Sequence, residues 1–256
     1  MILVRSRGVE FRLFADDIKT YCEVSDSLEE SSLLQRASDG VLRWSQENGV
    51  ELSVPKCAVI KTKADPVVYQ LADIIIPEVT SIRDLGVTVT PDLKFRKHII
   101  QVATSAATIC NLIHRCFTIR RPDFYVNLYL TLVVPRITYC ASVWAPSLLC
   151  DIKLLDAVRD KFIRRVADHC DVPRSTVTVP ANKDLFEDAD CRALRRLSVS
   201  DDLDKFFNVS INTRRSGIHL KTKCVAPDNV VNNLFSWRVA RSKPTLTRPF
   251  IVNKAT

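Results

Sequence analysis

Hydrophobic and polar residues alternate through "VEFRLF", with Val9, Phe11 and Leu13 set against polar neighbours until Phe14 breaks the pattern, which predicts a half-buried strand. "IKTYCEV" repeats the alternation, so Ala15 to Asp17 fall at the tip of a predicted hairpin. Helical spacing follows. Leu34, Ala37, Val41 and Trp44 recur on one face, Asp26, Glu29 and Glu30 crowd the start, and Gly49 offers a stop, which predicts a helix from about Ser27 to Asn48 with Trp44 in the core. "VELSV" and "CAVIKTK" read as strands on either side of Pro55 and Lys56, and "IRDLGVTV" as a further strand near residues 82 to 89.

From residue 95 the period is helical. Helices are expected at Phe95 to Phe117, Asp123 to about Val134, Ile152 to about Asp168 and Leu185 to about Phe207, punctuated by Pro122, Pro135 and Pro173. Strands first and helices afterwards define an α+β layout. The last fifty residues show no clear period.

A 256-residue chain at 46% hydrophobic content can bury the core of one large domain or two small ones. Its balance of 37 basic to 29 acidic residues favours anionic partners, and the distribution says more than the total. Lys205 to Thr256 holds ten Lys or Arg and one acid, Asp228. Leu93 to Arg121 holds six basic residues, among them Lys94, Arg96, Lys97, Arg120 and Arg121, and no acid. Such stretches are either solvated faces or neutralisers of phosphate.

Nine cysteines are spaced without a Cys-x-x-Cys pair. Cys110, His114 and Cys116 come nearest to a metal pattern but lack an evident fourth ligand, so buried thiols in a reducing compartment are the simpler reading. No apolar stretch has the length of a signal peptide or of a membrane span, roughly 18 residues, so an intracellular protein, cytoplasmic or nuclear, is expected. His98, His114, His169 and His219 have no partner that the sequence names.

The adjacent Asp16 and Asp17 admit two readings. Asp favours turns because it hydrogen-bonds its own backbone. Paired carboxylates are also tolerated where a divalent cation neutralises them. A regular strand points neighbours to opposite faces, whereas a hairpin tip can aim both at one ion.

"FADD", the helix ending "LRWSQENGVELSVPKC", then "IRDLGVTVTPDLKFRKHI", then "YLTLVVPRITYCASVWAP" resemble, in that order, the C-terminal half of non-LTR retrotransposon reverse transcriptases of the jockey and CR1 kind. "DIKLLDAVRDKFIRRV", "CRALRRLSVSDDLDKFF" and "LFSWRVARSKPT" are similar to segments that follow the polymerase core there. The resemblance implies a right-hand RNA-directed DNA polymerase, with a partial palm over residues 1–92, a helical thumb-like region over 93–172 and a basic C-terminal region over 173–256. It implies that Asp16 binds magnesium, with Asp17 a second carboxylate, in a two-metal site whose ions sit roughly 3.5–4 Å apart. Lys56 matches a lysine that approaches the phosphates of the incoming nucleotide, although Ser53, Pro55 and Cys57 depart from the family's surrounding pattern. Leu85 and Gly86 match a turn that grips the primer, where glycine lets backbone pass close to the strand.

The implied partners are an RNA template and a DNA primer, with Lys94, Arg96, Lys97, Arg120 and Arg121 on the nucleic-acid backbone. In the family another essential aspartate and the fingers lie well upstream of FADD. Here Glu10 is the sole acid before Asp16, six residues ahead and so roughly 20 Å away along a strand. The resemblance therefore implies a fragment without its N-terminal half, inactive alone, with an exposed sheet edge open to self-association. The alternatives are a non-catalytic binder of RNA or an RNA–DNA hybrid, or a relic without function. Phe235, Trp237 and Arg238 in the basic tail fit either stacking on bases or ordinary packing.

Overall fold

The computed structural model describes residues 9–22, 28–61, 67–199, 207–212 and 217–222. The chain divides into two compact units, residues 1–82 and 83–256.

In the first unit, β1 (Val9–Phe14) and β2 (Asp17–Cys22) pair antiparallel, with Phe14 opposite Asp17 and Val9 opposite Cys22. Ala15 and Asp16 form the turn, and Ala15 has φ 51°, a left-handed conformation that an alanine adopts at some strain. The alternation read from the sequence sorts the two faces. Val9, Phe11, Leu13, Ile18 and Thr20 share one face and Arg12, Phe14, Asp17, Lys19 and Tyr21 the other, with Val9 buried and Phe14 and Tyr21 exposed.

Helix α1 (Leu28–Glu47) packs on this hairpin, with Ala37 buried. Gly49 ends it as expected. At φ 66° it is left-handed, its N–H donates to the Gln46 carbonyl and that of Val50 to the Ser45 carbonyl, the paired bonds of a Schellman stop. Trp44 is only half-buried; Ser45 beside it is the buried position, its hydroxyl donating to the Leu42 carbonyl at 2.8 Å.

Among the described residues the strands expected around Pro55 do not form. Val54–Lys56 is a 3₁₀ turn with Pro55 in its first positions, because proline pre-sets the turn φ and offers no N–H to a ladder. Val59 makes only a single bridge to Glu78, and a short hairpin of β3 (Gln70–Leu71) and β4 (Ile74–Ile75) follows. The Gln35 side chain completes the edge of β3, accepting from the Gln70 N–H at 2.9 Å and donating to its carbonyl at 2.8 Å.

At the start of the second unit "IRDLGVTV" is a hairpin rather than one strand: β5 (Ile82–Asp84) and β6 (Val87–Val89) turn through Leu85 and Gly86. Helix α2 (Arg96–Cys116) buries Ile99, Val102, Ala103, Ala106, Cys110 and Ile113 at helical spacing. The return helix is longer than expected. It comprises α3 (Pro122–Leu128), a π-helical turn over Tyr129–Val133 and α4 (Val134–Thr138), so Pro135 lies inside it. Pro135 has no N–H, and its ring crowds the carbonyl four residues back, so the ladder widens just ahead of it. The widened turn also serves packing. Tyr125, Tyr129, Val133 and Ile137 are all fully buried, although steps of four drift about 40° each on a regular α-helix, and the extra residue in the π turn takes up that drift.

After α5 (Ala141–Trp144), α6 (Leu149–Cys170) runs parallel to α2. Arg96 bonds Asp151 and Asn111 bonds Arg165, a nearly constant sequence offset along both helices. α7 (Asn182–Val199) adds Phe186 to the same core, and the Asn182 amide donates to Asp156 at 2.9 Å. The helix expected to reach about Phe207 is described as far as Val199; residues 200–206 lie outside the described residues, and Phe207 opens β7 (Phe207–Asn212), which pairs with β8 (Gly217–Thr222). Phe235, Trp237 and Arg238 lie outside the described residues.

Candidate nucleic-acid interface

Asp16 is the second residue of the β1–β2 turn and Asp17 the first of β2, and both are exposed. Neither carboxylate hydrogen-bonds or ion-pairs with another described residue, and no group of three His, Cys, Asp or Glu side chains gathers at a metal-binding distance among the described residues. Two exposed carboxylates are hard donors suited to one divalent cation, but magnesium takes six oxygens, and two ions need more ligands than this pair supplies. Lys56 is exposed at the end of its 3₁₀ turn.

The second unit places the remaining candidates. The basic run from Leu93 to Arg121 is one stretch in sequence but two groups in space. Lys94, Arg96 and Lys97 stand at the N-terminal end of α2, whereas Arg120 and Arg121 follow its C-terminal end, about 30 Å away at 1.5 Å per residue over 21 residues. All five are exposed. Arg96 is committed elsewhere, because its guanidinium closes on Asp151, whose side chain is 2% exposed, and also touches Cys150 Sγ at 3.3 Å. Lys94 lies 4.0 Å from Asp92, a loose surface pair.

Leu85 and Gly86 both adopt positive φ, 44° and 87°. A Cβ on Gly86 would stand 3.2 Å from the Tyr139 ring, so the glycine makes room for an aromatic side chain of the protein itself. The Tyr139 hydroxyl donates to the Leu85 carbonyl at 2.9 Å. Trp144 Nε1 donates to the Tyr139 carbonyl at 2.7 Å, the Trp144 ring meets His98 edge-on at 5.0 Å, and His98 Nδ1 accepts from the Thr88 N–H at 3.2 Å. Burial holds the His98 pKa below its ordinary value, with the Arg83 charge adding to the effect.

None of Tyr139, Trp144, His98 and Thr88 was singled out by sequence reasoning as a site residue. The signal that could have found them is the dense aromatic stretch "TYCASVW", but the sequence does not say which turn those rings meet.

Cys110 and His114 share a face of α2 without making a metal centre. His114 stacks on Tyr125 at 5.5 Å and against Phe162 at 5.2 Å, while Cys110 is buried and Cys116 exposed. Burial pushes the His114 pKa down to about 4, with Arg165 and His169 adding to it, and pushes the Cys110 thiol up to about 11.

Partial likeness to a known polyprotein supports a retrotransposon-related origin for the chain. Over 157 residues it is 26% identical to the retrovirus-related Pol polyprotein from type-1 retrotransposable element R1 2 of Nasonia vitripennis, covering 56% of this chain and 38% of that protein. Over 95 residues it is 34% identical to an uncharacterized protein of Caenorhabditis elegans, covering 37% of this chain and 48% of that one. The chain thus spans less than half the length of either of these curated relatives. No known family profile and no solved structure matches it. Among the described residues no helix is long and apolar enough to cross a membrane.

Proposed function

We propose that the chain is a segment of a non-LTR retrotransposon reverse transcriptase of the jockey and CR1 kind, with part of the palm in the first unit and the thumb in the second. The observation that carries this reading is the likeness to the R1 Pol polyprotein over 157 residues. Support comes from the order of elements: a hairpin with paired aspartates at its tip, a helix, a turn with two left-handed residues, and a basic helical bundle.

In this reading Asp16 and Asp17 hold a magnesium ion, which would favour ionisation of a primer hydroxyl and neutralise phosphate charge. A further carboxylate must come from outside the described residues, in the same chain or a partner. The outer edges of the β1–β2 hairpin would accept the strand that carries it. Lys56 would meet nucleotide phosphates, the Leu85–Gly86 turn would meet the primer, and Lys94, Lys97, Arg120 and Arg121 would hold the backbones of RNA template and DNA primer.

The test is extension of an oligo(dT) primer on poly(rA) with magnesium, comparing the native chain with Asp16→Asn. Extension lost in the variant supports the reading. Extension unchanged by the substitution refutes the assignment of Asp16; no extension from either folded protein, the outcome expected of the fragment alone, moves the function to the basic helices and tail.

The exposed basic groups at the two ends of α2 also fit a second reading, a module that binds RNA or an RNA–DNA hybrid without chemistry. Contact with some six to ten phosphates would lower affinity on the order of 10³–10⁵-fold between 50 and 200 mM salt. Salt-insensitive binding would count against it.

A further inference from the structure

Leucine is an unusual occupant of a left-handed turn position; Asn, Asp and Gly are the residues that take it readily, and for others the conformation costs on the order of 1–2 kcal/mol. The β5–β6 hairpin has only three residues in each strand, too few to hold such a turn unaided. Something beyond the hairpin must stabilise it, and Tyr139 meets it at both turn residues: its hydroxyl on the Leu85 carbonyl, its ring where a Gly86 side chain would be.

We propose that Tyr139 is a positioning residue for the Leu85–Gly86 turn, fixing the turn in one conformation against which a nucleic-acid 3′ end is seated. The role at a 3′ end rests on the reverse-transcriptase reading above.

Tyr139 is itself anchored. The contacts close a circuit that leaves β6 at Thr88, passes through His98 to the buried Trp144, on to the Tyr139 carbonyl, through the Tyr139 side chain to Leu85, and back through the turn into β6. A movement of the turn must break one of these links.

A purely internal clasp would be expected to be covered. Tyr139 is instead 54% exposed and Leu85 39% exposed, so the fixed turn presents an aromatic ring and an apolar side chain outward. Exposed aromatic faces stack on bases without regard to sequence. Lys94 and Lys97 stand on the same end of α2 as His98 and can add phosphate contacts.

The test uses the full chain and two RNA–DNA hybrids of equal length, one with a recessed DNA 3′ end and one blunt. Tyr139→Phe keeps the ring and removes the hydroxyl; Tyr139→Ala removes both. The expected result for Tyr139→Phe is affinity for the recessed hybrid lowered several-fold, as for loss of one hydrogen bond. Affinity for the blunt hybrid should fall less, and amide exchange over residues 84–88 should be faster. Tyr139→Ala should widen both differences.

Equal loss of affinity for the two hybrids would overturn the 3′-end role. Unchanged amide exchange at 84–88 would overturn the positioning role. A native chain that does not prefer the recessed hybrid would instead refute the reverse-transcriptase reading and the 3′-end role with it, while the exchange measurement still decides whether Tyr139 holds the turn.

Discussion

Arg96, at the first position of α2, closes on the buried carboxylate of Asp151 near the start of α6, and this ion pair sets the two parallel helices in register at that end. Removing the guanidinium strands a charge that is only 2% exposed. Arg96→Ala is therefore expected to lower the stability of the bundle, because the Asp151 carboxylate loses its cation. Urea unfolding measures it. The same variant should change the salt dependence of nucleic-acid binding less than Arg121→Ala does; a larger change would return Arg96 to the phosphate-binding residues.

The pH dependence follows from His114. Its folded pKa, about 4, lies below the ordinary value near 6.5, because its ring is packed between Tyr125 and Phe162 with Arg165 and His169 nearby. Between these values the unfolded chain binds the proton and the folded chain does not. Stability is then fully present above about pH 6.5 and is lost as pH falls towards 4. Urea midpoints measured from pH 8 to pH 4 should show this decline, and His114→Phe, which keeps an aromatic ring in place, should flatten it.

Two glycines should respond in opposite directions to alanine. Gly86 has φ 87°, and a methyl group added to it would meet the Tyr139 ring at 3.2 Å, so Gly86→Ala is expected to destabilise by about 1–2 kcal/mol. Gly40 lies inside α1 with nothing within 4 Å, so Gly40→Ala should stabilise by about 0.5–1 kcal/mol. Thermal unfolding of each variant separates the two.

Because the basic run falls into two groups at opposite ends of α2, neutralising one group should leave the phosphates held by the other in place. Lys94→Ala with Lys97→Ala, and separately Arg120→Ala with Arg121→Ala, should each reduce the salt slope of binding by about one for every phosphate that is no longer neutralised. If one pair abolishes the entire slope, a single-ended binding surface replaces this picture.

Much of the helical region was legible in the sequence because its signals are local. The apolar face of α2, from Ile99 to Ile113, and the Gly49 stop of α1 depend on neighbours within a turn or two. The segment around Pro55 is less legible, since a hydrophobic run of that length fits either a strand or a loop, and only the missing N–H of proline decides for the turn. Pro135 signals a boundary that the fold overrides, for the converse reason. The buried residues from Tyr125 to Ile137 hold the helix together through a π turn, against a local preference to stop.

The sequence by itself determined the paired carboxylates at a hairpin tip, the basic character of the chain and the change from period two to helical spacing near residue 95, because each is set by residues adjacent along the chain. Only the tertiary structure decided what those residues meet. It drew Arg96 away to Asp151, split one basic run into two groups about 30 Å apart on a rigid helix, and put the Tyr139 ring against Gly86. Tyr139 and Gly86 stand more than fifty residues apart, and no local period carries information across that distance. Their meeting is fixed by how the helices pack.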